Sequence, residues 1–118
     1  MNKHEIELFL SKQQGSEASF PFGPEALVYK VMGKMFALVS QQDEPLRVTL
    51  KCEPLNAEVL VSEFDSVLPG YYMNKKHWVT ISLSGEVNDA MLKDLMVNSY
   101  ALVVSKLKKI EKEQLAQL

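Results

Sequence analysis

The stretch Leu46-Arg47-Val48-Thr49-Leu50-Lys51-Cys52, followed closely by Pro54, decides the fold class. Leu46, Val48, Leu50 and Cys52 alternate with Arg47, Thr49 and Lys51, and successive side chains of an extended chain point to opposite faces. So strict a period of two predicts a strand over 46–52 with one buried and one wet face, as in an antiparallel sheet covered on one side. Pro54 has a fixed φ and no backbone N–H, which suits the first turn of a helix. The apolar spacing extends that helix to about Phe64 and predicts that Leu55, Val59, Leu60 and Phe64 are buried.

Upstream, Ala26–Met32 and Met35–Ser40 read as two strands joined by a tight turn at Gly33-Lys34. Ser16–Pro24 reads as a connector, because Phe20-Pro21-Phe22-Gly23-Pro24 excludes a helix. Phe20 and Phe22 are expected to anchor it against the core. Residues 2–14 read as a first helix with Ile6, Phe9 and Leu10 on its apolar stripe. Asn2 is its cap, Glu5 stands at capping-box spacing, and Gly15 ends it. Downstream, Asp65–Lys76 reads as a long connection around Pro69-Gly70, and His77–Leu83 as a further strand. Asn88 or Asp89 caps a long helix reaching about Leu107, with Leu92, Leu95, Met96, Tyr100, Val103, Val104 and Leu107 as its stripe. Ile110–Leu118 reads as a short terminal helix or a frayed tail. The predicted order is helix, three strands, helix, strand, helix. Hairpins outnumber crossovers, so the expected class is α+β: a mainly antiparallel sheet with helices packed on one face, in one domain spanning 1–118.

Composition narrows the function classes. The 118 residues are 47% hydrophobic and 24% charged, which excludes a disordered or fibrous chain. No apolar run approaches the roughly 20 residues of a membrane span, and the polar start lacks the apolar core of a signal peptide. Cys52 is the single cysteine, so no intrachain disulfide forms. These features imply a monomer in a reducing cytoplasm, with no membrane partner. The formal net charge is -2, so any grip on phosphates must come from a local patch.

Catalytic patterns are missing from the sequence. The glycines are scattered and form no phosphate loop. His4, His77 and Cys52 have no ligand spacing among them, and no GxSxG elbow occurs. Glu5 with Glu7 and Glu111 with Glu113 fit solvated helix faces. The expectation is a protein without metal, cofactor or catalytic residues, and not an enzyme.

One segment stands out. Tyr71-Tyr72-Met73-Asn74-Lys75-Lys76-His77-Trp78 gathers aromatic and basic residues, and no acidic residue occurs between Ser66 and Gly85. Lysines meet phosphates and aromatic faces stack on bases. Parity sharpens the picture. Val79, Ile81 and Leu83 belong to the core face, which turns Trp78, Thr80 and Ser82 outward. Leu27, Tyr29 and Val31 are inward on their strand, leaving Lys30 outward beside Arg47, Thr49 and Lys51. An uncovered sheet face would then present Lys30, Arg47, Lys51 and Trp78 among hydroxyls. Two readings of Trp78 stand side by side: a docking residue, or a ring packed over the sheet edge, with Asn74 capping a turn. Lys106, Lys108, Lys109 and Lys112 form a second basic stretch, diluted by Glu111 and Glu113 and suited to a helix C-terminus.

Met73-Asn74-Lys75-Lys76-His77-Trp78-Val79-Thr80-Ile81 resembles the central signature of the MmcQ/YjbR-like family of small bacterial proteins. Phe22-Gly23-Pro24, Leu27-Val28-Tyr29-Lys30-Val31 and Lys34-Met35-Phe36-Ala37-Leu38 resemble that family's first hairpin. Val48-Thr49-Leu50-Lys51-Cys52 with Pro54, and Ser99-Tyr100, fit as well. The resemblance implies a CyaY-like (frataxin-like) two-layer fold and a double-wing DNA-binding role, with Asn74, Lys75, His77 and Trp78 as signature positions. An iron function does not carry over, because only Glu5 and Glu7 stand in the first helix. The expected binding set is Lys30, Arg47, Lys51, Asn74, Lys75, Lys76, His77 and Trp78, with DNA as partner. The alternative is a protein-interaction or chaperone-like adaptor that takes an unidentified protein on the open sheet face or edge strand.

Overall fold

The computed structural model describes residues 1–70 and 73–118, so the Tyr71-Tyr72 start of the aromatic segment lies outside the described residues. The elements run α1 (Lys3–Ser11), β1 (Ser16–Ser19), β2 (Ala26–Val31), β3 (Lys34–Ser40), β4 (Arg47–Lys51), α2 (Pro54–Glu63), β5 (Val67–Pro69), β6 (Trp78–Ser82), α3 (Asp89–Ser105) and α4 (Lys109–Ala116). The strands form one six-stranded sheet in the order β1-β2-β3-β4-β6-β5, antiparallel at every pairing. The α+β class and the antiparallel sheet agree with the sequence pattern.

Two strands were hidden in predicted loops. Ser16–Ser19 pairs with β2 as an edge strand, although Ser-Glu-Ala-Ser has no apolar alternation. Val67–Pro69 pairs with β6 inside the stretch expected to be a plain connection. Both are short and held by backbone pairing, which side-chain periodicity does not report. Helix α1 is also shorter than expected: it stops at Ser11, and Gly15 serves the turn into β1. Its predicted capping box is present, with Asn2 Oδ1 accepting from the Glu5 N–H at 2.9 Å.

The helices bury one face of the sheet. Ile6 and Leu10 of α1, Ala57 and Leu60 of α2, Leu92, Met96 and Val103 of α3 and Leu115 of α4 share one core with Tyr29, Val31, Val39, Val48, Leu50, Val79 and Ile81. The predicted face of α2 holds in part: Leu60 is buried and Phe64 packs against the core, but Leu55 and Val59 do not join them. Ala57 and Leu60 are buried, while Leu55 and Val59 are 76% and 51% exposed. The expected anchoring of the connector fails too, since Phe20 and Phe22 are 52% and 64% exposed.

The β2–β3 hairpin turns on Met32 and Gly33, both at positive φ (49° and 79°), the backbone of a two-residue primed turn. Tyr29 pairs with Ala37 but Lys30 pairs with Met35, so Phe36 is the extra residue of a bulge. The bulge sends both Phe36 and Ala37 to the helix side and returns Met35 to the outward face. It also takes the Phe36 carbonyl out of the ladder. Ser99 of α3 repairs this. Its Oγ donates to the Phe36 carbonyl at 2.5 Å and accepts the Lys51 N–H at 2.8 Å, fully buried. One hydroxyl thus satisfies two backbone groups and docks α3 on β3 and β4.

Replacing Ser99 with alanine leaves both backbone groups unpaired, so Ser99→Ala should cost roughly 2–4 kcal/mol in urea unfolding, while exposed Ser105→Ala should stay within about 0.5 kcal/mol. Tyr29 gives a pH signature. Burial, with the Glu7 carboxylate nearby, pushes its phenol up to about 12 from an ordinary 10.0. The folded chain holds that proton more tightly than the unfolded chain, so this stability is complete below pH 10 and lost as pH rises toward 12. Denaturant titrations across that range should show the fall, and Tyr29→Phe should reduce it.

Candidate nucleic-acid interface

The register places the outward face in three rows. Ala26, Ser40, Arg47 and Ser82 form the first, and Val28, Leu38, Thr49, Thr80 and Leu68 the second. Lys30, Met35, Lys51 and Trp78 form the third, at the end where the β2–β3 hairpin turns. The predicted parity of β2, β4 and β6 therefore holds, and Lys30, Arg47, Lys51 and Trp78 do lie on the face opposite the helices.

That face is not bare. Trp78 is only 8% exposed and joins Val28 and Leu38 in a second small core, with Met35 and Met73 against it. Thr80, expected to be wet, is buried, and its hydroxyl lies 2.9 Å from that of Thr49. Trp78 is covered because its ring has too much apolar area to leave in water once Met35 and Met73 lie within reach. The packing reading of this residue prevails over the exposed one. Gly70 allows it: a Cβ there would come 2.7 Å from Trp78 Cβ, and the Gly70 N–H bonds the Trp78 carbonyl at 2.8 Å.

The segment leading to Trp78 is shaped by Asn74. Its Oδ1 accepts the Lys76 N–H at 2.9 Å, and its carbonyl accepts the His77 N–H at 3.0 Å. This side-chain turn leaves Lys75, Lys76 and His77 exposed. The His77 carbonyl accepts the Cys52 N–H at 2.8 Å, which fixes the turn beside the end of β4 and next to Lys51.

A cleft of about 240 Å³ opens at the edge of Trp78, lined by Lys34, Met35, Lys51, Trp78, Val103, Lys106 and Leu107. The hairpin delivers Lys34, β4 delivers Lys51, and the C-cap of α3 delivers Lys106. Among the described residues the ion pairs are Met1 with Asp89 and Lys3 with Glu7, so these lysines enter none. Lys34 and Lys106 escaped the sequence reading, the first as a turn residue and the second as a helix-end charge. Arg47 lies at the opposite end of β4, about 13 Å from Lys51 at strand spacing, and belongs to a different part of the face.

The remaining chemistry is sparse. Burial pushes the Cys52 thiol up, with Glu53 adding to the rise. Among the described residues, no cluster of three or more His, Cys, Asp and Glu could hold a metal ion. Among the same residues, no helix is long and apolar enough to cross a membrane.

A family model described as YjbR matches residues 11–102. The chain belongs to the YjbR family. It is 38% identical over 98 residues to "Uncharacterized protein YbdF" of Escherichia coli O157:H7, covering 83% of this chain and 80% of that one. It is 30% identical over 118 residues to "Uncharacterized protein YjbR" of Escherichia coli strain K12, covering all of both chains. The crystal structure of Deinococcus radiodurans protein DR2400, with a DUF419 domain, superposes with a TM-score of 0.87 at 37% identity, covering 96% of this chain and 86% of that one. A Pseudomonas syringae protein shares the fold at 22% identity, with a TM-score of 0.74 over 86% of this chain and 98% of that one.

In this YjbR chain, the residues that carried the family resemblance divide their labour. Asn74 shapes the turn, the His77 carbonyl extends the β4–β6 ladder, and Trp78 fills the outer core. Lys75 and Lys76 are left free in solvent.

Trp78 is the single tryptophan, so its fluorescence reports this site alone. Emission should be blue-shifted and resist iodide quenching, and Trp78→Ala should cost roughly 3–5 kcal/mol. Lys75→Ala and Lys76→Ala should stay within about 0.5 kcal/mol. A solvent-facing tryptophan would give red-shifted, quenchable emission and little loss of stability.

Proposed function

We propose that this chain is a nucleic-acid-binding module, and not an enzyme, that grips the phosphate backbone of DNA through the basic end of its sheet. The observation that carries this reading is the convergence of Lys34, Lys51 and Lys106 on one cleft, outside any ion pair among the described residues. Lys75, Lys76 and His77 extend the same end along an exposed turn. Lys30 shares the row but faces Glu17 across β1, which moderates its field.

The mode of binding follows from what is exposed. Trp78 is buried, so its face is not free to stack on bases, and the lysine ammonium groups meet phosphates without reading sequence. The net charge of -2 is compatible with this, because exposed charges farther off than about a Debye length are largely screened and do not cancel a local field. Cys52 does not offer a reactive thiolate, since burial favours its neutral form.

Anisotropy of a short labelled duplex should show binding that weakens steeply with salt. Each of Lys34→Ala, Lys51→Ala and Lys106→Ala should reduce the slope of log affinity against log salt by about 0.9, and the triple variant by about 2.7. No binding at low salt, or an unchanged slope in the triple variant, would contradict the proposal.

A further inference from the structure

The outward face carries a second and larger depression, which adjoins the lysine cleft at Met35 and shares no other lining residue with it. It is a groove of about 650 Å³, within the roughly 300–1,000 Å³ of small-molecule sites. Leu38, Thr49 and Thr80 lie along its sheet side. The two threonine hydroxyls bond one another at 2.9 Å, so this polar pair is already satisfied. Phe22, Met35 and Met73 add apolar side chains to its lining. Unbranched methionines adapt to apolar shapes better than branched side chains do. Phe22, 64% exposed, is an aromatic ring whose apolar area no part of the described chain fully covers.

The charges of the groove differ in kind from those of the cleft. Arg47 lies along it, together with Glu25 and Asp43. The Gln41 N–H bonds the Glu25 carbonyl at 2.9 Å, tying the loop before β2 to the loop after β3. The Arg47 N–H bonds Ser40 Oγ at 2.8 Å and fixes the arginine's origin. None of the three charged side chains is in an ion pair among the described residues. A purely anionic ligand would meet two carboxylates there, and a purely cationic one would meet the guanidinium. A ligand that carries both charges satisfies all three groups.

We propose that this groove binds a short zwitterionic peptide with bulky apolar side chains. Its carboxylate pairs with Arg47 in the fork geometry that guanidinium offers, and its ammonium group lies against Asp43 and Glu25. One apolar side chain rests on Phe22 and the other between Met35 and Met73. The site uses none of the lysines of the cleft, adjoins it at Met35, and stands whether or not the chain binds nucleic acid.

Methyl and amide NMR of the full chain, titrated with the dipeptide phenylalanyl-leucine, tests it. Saturable shifts are expected at Thr49, Thr80 and Met73. N-acetylation and C-amidation of the dipeptide should each weaken binding about tenfold, the loss of one charge-assisted contact. Arg47→Ala should erase the difference between the acid and the amide. Asp43→Asn with Glu25→Gln should erase the difference between the free and acetylated amine. These positions are on the surface, and unchanged spectra away from the groove establish that the variants are folded. No saturable shift at millimolar dipeptide would overturn the proposal, as would equal binding of all three forms or shifts centred elsewhere.

Discussion

Strand β4 runs through the middle of the sheet, and its register sets both faces at once. Val48 and Leu50 enter the helix-side core, while Arg47, Thr49 and Lys51 stand on the other side. Because side chains alternate with a period of two, a slip by one residue would exchange the two sets entirely. Ser99 holds the register in place, joining the Lys51 N–H and the Phe36 carbonyl to α3 through one buried hydroxyl. The Thr49–Thr80 hydroxyl pair adds a second pin on the outer face. Both the cleft and the groove depend on that alignment.

The outer face is organised by charge as well as by packing. Trp78 and its neighbours form a small apolar centre. Lysines gather at the end where the hairpin, the C-terminus of β4 and the end of α3 meet. At the other end Arg47 stands with Glu25 and Asp43. A net charge of -2 averages these regions and conceals both. Lysines outside any ion pair among the described residues suit a polyanion, whereas mixed charges around an apolar trough suit a small ligand of both signs.

Legibility in the sequence followed the physical origin of each feature. The inward sets of β2, β4 and β6 were readable because burial on one face imposes alternation, and the caps Asn2 and Asn88 because their side chains act locally. Strands β1 and β5 were not, since Ser-Glu-Ala-Ser and Val-Leu-Pro owe their conformation to neighbours distant in sequence. Helix α2 offers apolar residues on several sides, and only tertiary packing selects Ala57 and Leu60 over Leu55 and Val59. The parity of Trp78 was readable and its packing was one of two readings, but the residues that cover it were not, because Met35 reaches the outer face only through the bulge at Phe36. Lys34, Lys51 and Lys106 meet through three separate elements, and no local pattern links them.

The proposed phosphate-binding surface at the lysine end of the outward face is open to direct test. Backbone amide NMR with duplex DNA, at low and then high salt, tests it most directly. Shifts are expected at Lys34, Lys51, His77 and Lys106 at low salt and should reverse at high salt, with α2 and β1 unchanged. Unmoved resonances at low salt, or shifts centred on the exposed Leu55 and Val59 face of α2, would contradict it.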